Sequence, residues 1–176
     1  MCEDIQDRSI KSTSLTAETA KKLRTKIFSC LNKACDERVL KTKLPEIHKL
    51  LRITPPNKGT TEIVGGERNF KRIKDIPHFE RIDGCWFDFS IMVNETIKPA
   101  EIVGFDFEIR FPENNPIKFL RFDLNLPNHD NEERGMRFHL HPGSDDFTIH
   151  SPPMSPLEIL YLFLYGLPIP AKLRSF

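Results

Sequence analysis

Five residues in one short stretch carry side chains that could do chemistry together. Arg121 and Asp123 stand in Arg121-Phe-Asp123-Leu-Asn125, and Arg137, His139 and His141 in Arg137-Phe-His139-Leu-His141. Guanidinium groups grip a phosphate at two points, and a neighbouring imidazole can trade a proton near neutral pH. Cleaving RNA without a metal needs a general base on the 2′-hydroxyl, a general acid on the leaving oxygen and a cation for the phosphorane. His139, His141, Arg121 and Arg137, with Asp123 beside them, are therefore the candidate catalytic set. The two histidines would stand roughly 6–7 Å apart on a strand, a spacing compatible with metal ligation if Asp123 or Glu108 supplied an oxygen. Arg121 and Arg137 would repel a divalent cation, however, so neither a metal nor a cofactor is expected.

The elements that must position these residues follow from hydropathy. Both segments alternate apolar and polar residues, the period of a strand with one buried face. Between them, Pro127 to Gly135 is rich in turn formers and has no apolar residue, so the strands are expected to fold back antiparallel. Upstream, Phe105, Phe107, Ile109 and Phe111 alternate with Asp106, Glu108 and Arg110. Matching the apolar faces sets Ile109 opposite Leu120, Phe107 opposite Phe122, and Glu108 opposite Arg121. The same rule sets Phe122 opposite either Phe138 or Leu140, and Asp123 opposite either Arg137 or His139. In both registers Asp88, Asp106, Glu108, Arg110, Arg121, Asp123, Arg137, His139 and His141 share one open face, and Phe, Leu and Ile fill the other. Thr60–Val64 and Arg68–Ile73 flank Gly65-Gly66 and read as a further hairpin. Ser155-Pro156 starts a helix that Gly166 and Pro168 end. It is apolar nearly all round, so it is expected to be buried against the Phe face.

Ahead of the sheet, Thr16 is positioned to cap a helix whose stripe is Leu23, Ile27, Leu31 and Ala34. A second helical stretch runs from Glu37 to Arg52, where Pro45 either breaks it or opens a new first turn. The fold class expected is α+β: an N-terminal helical pair, then a mainly antiparallel sheet with one face covered by a C-terminal apolar helix. Residues 1–14 read as a loosely held terminus, 15–53 as a basic helical segment, and 60–176 as the sheet domain, joined in one compact unit.

Charge is divided unevenly along the 176 residues. The first 75 carry 17 Lys/Arg against 10 Asp/Glu and the rest 9 against 15, although the whole chain has a formal charge of +1. Such asymmetry suits a polyanion or an acidic partner, or neutralisation of one half by the other. Lys21, Lys22, Arg24 and Lys26 on the first helix, with Trp86 as a stacking ring, are the candidate nucleic-acid contacts. The four cysteines have no metal-ligand or redox-pair spacing. The charged amino terminus has no apolar core of the kind a signal peptide needs, so a reducing cytoplasm is expected. The longest uncharged run late in the chain falls short of the ~20 residues that span a bilayer, and no membrane contact is expected.

Arg121-Phe-Asp123, a polar turn, Arg137-x-His139-x-His141 and a Ser-Pro-started apolar helix together resemble the TumE-like proteins, toxin components of toxin–antitoxin pairs, and related uncharacterised prokaryotic domains. The resemblance covers about residues 117–165 and leaves the basic helical front outside. It implies a small cytoplasmic prokaryotic protein of toxin, defence or mobile-element type. Two functions are therefore expected as alternatives. One is binding or metal-independent cleavage of RNA at the Arg/His patch. The other is a non-catalytic adaptor that holds an acidic partner protein or nucleic acid through its basic helices.

Overall fold

The computed structural model describes residues 15–69, 71–130 and 136–169. The polar terminus 1–14 and the turn residues 131–135 lie outside them. The fold is α+β, and the described residues form three helices against a mainly antiparallel sheet of nine strands. The strands are β1 (Thr16–Ala17), β2 (Leu51–Ile53), β3 (Thr60–Gly65), β4 (Phe79–Glu80), β5 (Trp86–Asn94), β6 (Ala100–Arg110), β7 (Phe119–Leu124), β8 (Phe138–Pro142) and β9 (Ile149–His150). Their order is β2-β3-β5-β6-β7-β8-β9, with β1 on β6 and β4 on β5. Both ends of the 15–53 segment thus enter the sheet, through β1 and β2.

The register follows the alternation of side chains. Phe107 pairs with Phe122, Ile109 with Leu120 and Glu108 with Arg121. On the next pair of strands Phe122 lies opposite Leu140, and Asp123 opposite His139. A one-residue slip would turn every aromatic ring toward the polar side, so burial of the rings fixes the alignment. Phe87, Phe89, Phe107 and Ile109 are fully buried.

Helices α1 (Ala20–Asp36) and α3 (Pro156–Tyr161) cover this apolar face, and α3 runs on into a π-helical turn, Leu162–Gly166. The α1 stripe Ala20, Leu23, Ile27, Leu31 and Ala34 is buried, as spaced. Phe163 is the keystone of the second layer, with its ring centroid 5.8 Å from Phe87, 6.0 Å from Phe122 and 6.2 Å from Phe107. Ser155 starts α3: its Oγ accepts from Glu158 N at 3.3 Å, while Ser155 N donates to the Glu158 carboxylate at 2.7 Å. This reciprocal cap satisfies two otherwise orphaned donors.

Four local expectations are corrected. Thr19, not Thr16, caps α1, because Thr16 is taken up by β1 and Thr19 Oγ1 is free to accept from Lys22 N at 3.1 Å. The second helix is only α2 (Leu44–Leu50). Arg38 turns the chain at φ 58, Lys41 N donates to Glu80 O, and Pro45 stands in the first turn of α2. The helix that reads as apolar all round buries one side: Tyr161 and Tyr165 are 47% and 41% exposed, and the Tyr165 hydroxyl donates to Glu37 at 2.7 Å. Among the described residues, 68, 69 and 71–73 form no strand with β3, whose partners are β2 and β5. Gly66, at φ +80, instead turns the chain across the polar face. There Arg68 reaches Asp106, and Arg72 reaches Glu108.

Candidate metal centre

The polar face is organised in rows that run across the strands. One row reads Ser90, Asp106, Asp123, His139 and His150, and the next Asp88, Glu108, Arg121 and His141. Directly opposed side chains in an antiparallel sheet stand roughly 4.5–5.5 Å apart at Cβ. Where the two rows meet β7 and β8, Asp123, His139 and His141 bring one ligand atom each within 4.8 Å of the others. The His139 and His141 Nε2 atoms are 3.1 Å apart, and Asp123 Oδ2 lies 3.3 Å from His141 Nε2 and 3.7 Å from His139 Nε2.

That triangle has the dimensions of a coordination face. Bonds of about 2.1 Å in tetrahedral geometry place neighbouring donors about 3.4 Å apart, with a fourth position left open. Two imidazoles and one carboxylate form a donor set that suits zinc and other late first-row divalent ions better than magnesium or calcium. The supporting shell is partly in place. His139 Nδ1 lies 2.9 Å from the Met136 carbonyl, which only accepts; the Nδ1 hydrogen therefore points there and the Nε2 lone pair points into the triangle. Burial holds the His139 pKa below its ordinary value while Asp123 pulls it upward, so the neutral, ligating form is favoured. His141 Nδ1 is buried with no partner among the described residues.

The repulsion expected from the arginines is reduced, for two reasons. Arg137 turns away, with Nε donating to Asn125 O at 2.9 Å and Nη2 to Val103 O at 2.8 Å. Arg121 is held in a network that contains more carboxylates than guanidiniums. Its Nε donates to Asp123 Oδ2 at 2.9 Å and its Nη1 to Asp145 at 2.6 Å, with Glu108 at 3.6 Å. Arg72 forks onto Glu108 and Asp145, Arg110 lies 2.8 Å from Asp88 and 2.7 Å from Glu108, and Arg68 meets Asp106. Four arginines thus face Asp88, Asp106, Glu108, Asp123 and Asp145.

Of the expected catalytic set, Arg121, Asp123, His139 and His141 come together and Arg137 does not. His139 and His141 are 3% and 5% exposed, so a polynucleotide has no direct route to either imidazole. Access instead runs over Asp123 and Arg121, which line a groove of about 740 Å³. One wall is apolar, with Met92, Phe105, Leu124 and Leu126; Asp106, Arg68 and Asp145 supply charge. Gly104 keeps the floor low, since a Cβ there would lie 2.8 Å from Leu126 Cδ2. The groove opens beside a break in register between Met92 and Val93, the kind of bulge that often re-aims a strand near a site.

The candidate nucleic-acid contacts divide. Lys21, Lys22 and Lys26 are exposed on α1, with Lys22 paired to Glu18, while Arg24 is half-buried and donates to Leu51 O at 2.8 Å. Trp86 is corrected as a base-stacking ring: it is 7% exposed, with the Arg110 guanidinium 4.6 Å from its ring centroid and the His78 ring against it. Sequence reasoning missed Arg72 and Asp145. Arg72 falls in a segment read as a strand, and no pattern in the sequence singles out Asp145. Among the described residues no helix is long and apolar enough to cross a membrane. No family model matches this chain, and neither a curated protein nor a solved structure does so.

Proposed function

We propose that this is a divalent-metal protein whose ion is held by Asp123, His139 and His141, and that it works as a metal-dependent hydrolase. The single observation that carries the reading is the triangle of Nε2, Nε2 and Oδ2 atoms with edges of 3.1, 3.3 and 3.7 Å. An ion so held supplies Lewis acidity and a bound water of lowered pKa. The protein's own residues fix the imidazoles by burial and the Met136 carbonyl, aim the carboxylate with Arg121, and admit substrate through the adjoining groove. RNA is the substrate class we propose to try first, because the exposed lysines of α1 would draw a polyanion to the molecule. Incubating RNA with zinc-loaded wild type, with chelated protein and with His139→Ala/His141→Ala tests the reaction. Cleavage by the first alone supports the hydrolase, and equal background in all three removes it for RNA.

A second reading has its own observation. Lys21 and Lys26 have no ion pair among the described residues, and they face solvent on the helix that also carries Lys22. This favours the adaptor role, in which α1 holds nucleic acid or an acidic protein with no chemistry at all. Binding of single-stranded RNA that weakens steeply with salt, and is lost in Lys21→Glu/Lys26→Glu with the triad intact, would support it.

A further inference from the structure

The side chain best placed to tune the triad is not one of its three members. Asp145 lies in the loop between β8 and β9, exposed and far from the sheet core, yet it makes three strong contacts. Arg121 Nη1 donates to its Oδ1 at 2.6 Å, Arg72 Nη2 to the same oxygen at 2.8 Å, and Arg72 Nη1 to Oδ2 at 3.0 Å. Arg72 is anchored independently, by its fork onto Glu108 at 2.9 and 3.1 Å and by lying 3.6 Å over the Phe119 ring. Arg121 has no such anchor. Among the described residues its side chain meets Asp145 at 2.6 Å, Asp123 at 2.9 Å and, less closely, Glu108 at 3.6 Å.

We propose that Asp145 is a positioning residue for the metal: it fixes Arg121, and Arg121 fixes the ligating carboxylate of Asp123. A carboxylate oxygen has two lone pairs. With Arg121 Nε on one of them, Asp123 Oδ2 keeps the other for the ion, and its side chain cannot change rotamer without breaking the Arg121 bond. Without Asp145, the guanidinium loses its shortest contact and the carboxylate samples more rotamers. Outer partners of metal ligands typically change affinity by about 10–100-fold.

This inference rests on the metal reading and is tested so that the two can fail separately. Zinc alone is titrated into the full chain against a chromophoric chelator, and the melting temperature of the metal-free protein is recorded for each variant. Asp145→Ala is expected to bind zinc about tenfold more weakly than wild type, with Asp145→Glu recovering part of the loss. A role confined to holding the loop would lower the melting temperature and leave the affinity of the folded protein unchanged, which overturns the proposal. If Asp145→Ala does not fold, the isosteric Asp145→Asn is judged by the same criterion. Wild type that binds no zinc removes the metal reading itself, whereas wild type and Asp145→Ala binding equally tightly removes only the role of Asp145.

Discussion

His139 and His141, two residues apart on β8, hold their Nε2 atoms 3.1 Å from one another in the buried part of the polar face. Two bare nitrogen lone pairs at that distance repel, so something positive must lie between them. With His139 Nδ1 donating to Met136 O, the choices are a hydrogen on His141 Nε2, shared with Asp123, or a cation that replaces it. A cation on His141 Nε2 requires the other tautomer, with the hydrogen moved to Nδ1, the buried atom that has no partner among the described residues.

Zinc affinity should therefore depend on pH in a definite direction. Both imidazoles must be neutral to ligate, and the His139 pKa lies below the ordinary 6.5. Affinity is expected to weaken as pH falls through the lowered His139 value, somewhere below 6.5, followed by competition titrations across the acid range. Affinity that does not change with pH would exclude imidazole ligation.

Asp88 should make the fold itself pH-sensitive in the opposite sense. Burial pushes its carboxyl from 3.8 up to about 7, against the pull of Arg110. A folded value above the unfolded one means that the stabilising contribution is complete below pH 3.8 and is lost as pH rises through about 7. Asp88→Asn should remove that loss, so its denaturation midpoint, compared with wild type, should gain more at pH 8 than at pH 5. An equal gain at both values would mean that Asp88 is ionised throughout.

The sheet was legible because its signal is redundant. The alternation in Phe105 to Phe111 and Phe119 to Leu124 leaves one register that buries every ring, and Glu108 opposite Arg121 follows from it. The site was legible as residues but not as chemistry. Sequence places Arg121 and Arg137 near the histidines and so argues against a cation; it does not say that Arg137 bends to backbone carbonyls while Asp145, 24 residues beyond Arg121, takes up part of its charge. Long side chains choose among partners by three-dimensional proximity, which alternation does not encode. The Arg68–Ile73 segment departs from its strand pattern for the same reason: Arg68 and Arg72 are drawn to carboxylates on β6, and no local pattern announces this.

Phe163 joins the helix layer to three strands through Phe87, Phe107 and Phe122. Phe163→Ala should cost about 3–5 kcal/mol of stability, measured by chemical denaturation. A loss below about 1 kcal/mol would mean that the aromatic layer repacks around the gap.

The central claim is that Asp123, His139 and His141 bind one ion together. Purified, chelator-stripped protein titrated with cobalt(II) should take up one equivalent per chain and give the intense visible absorption of a tetrahedral site, and His139→Ala/His141→Ala should give neither. Wild type that shows no uptake beyond that of the double variant would contradict the account.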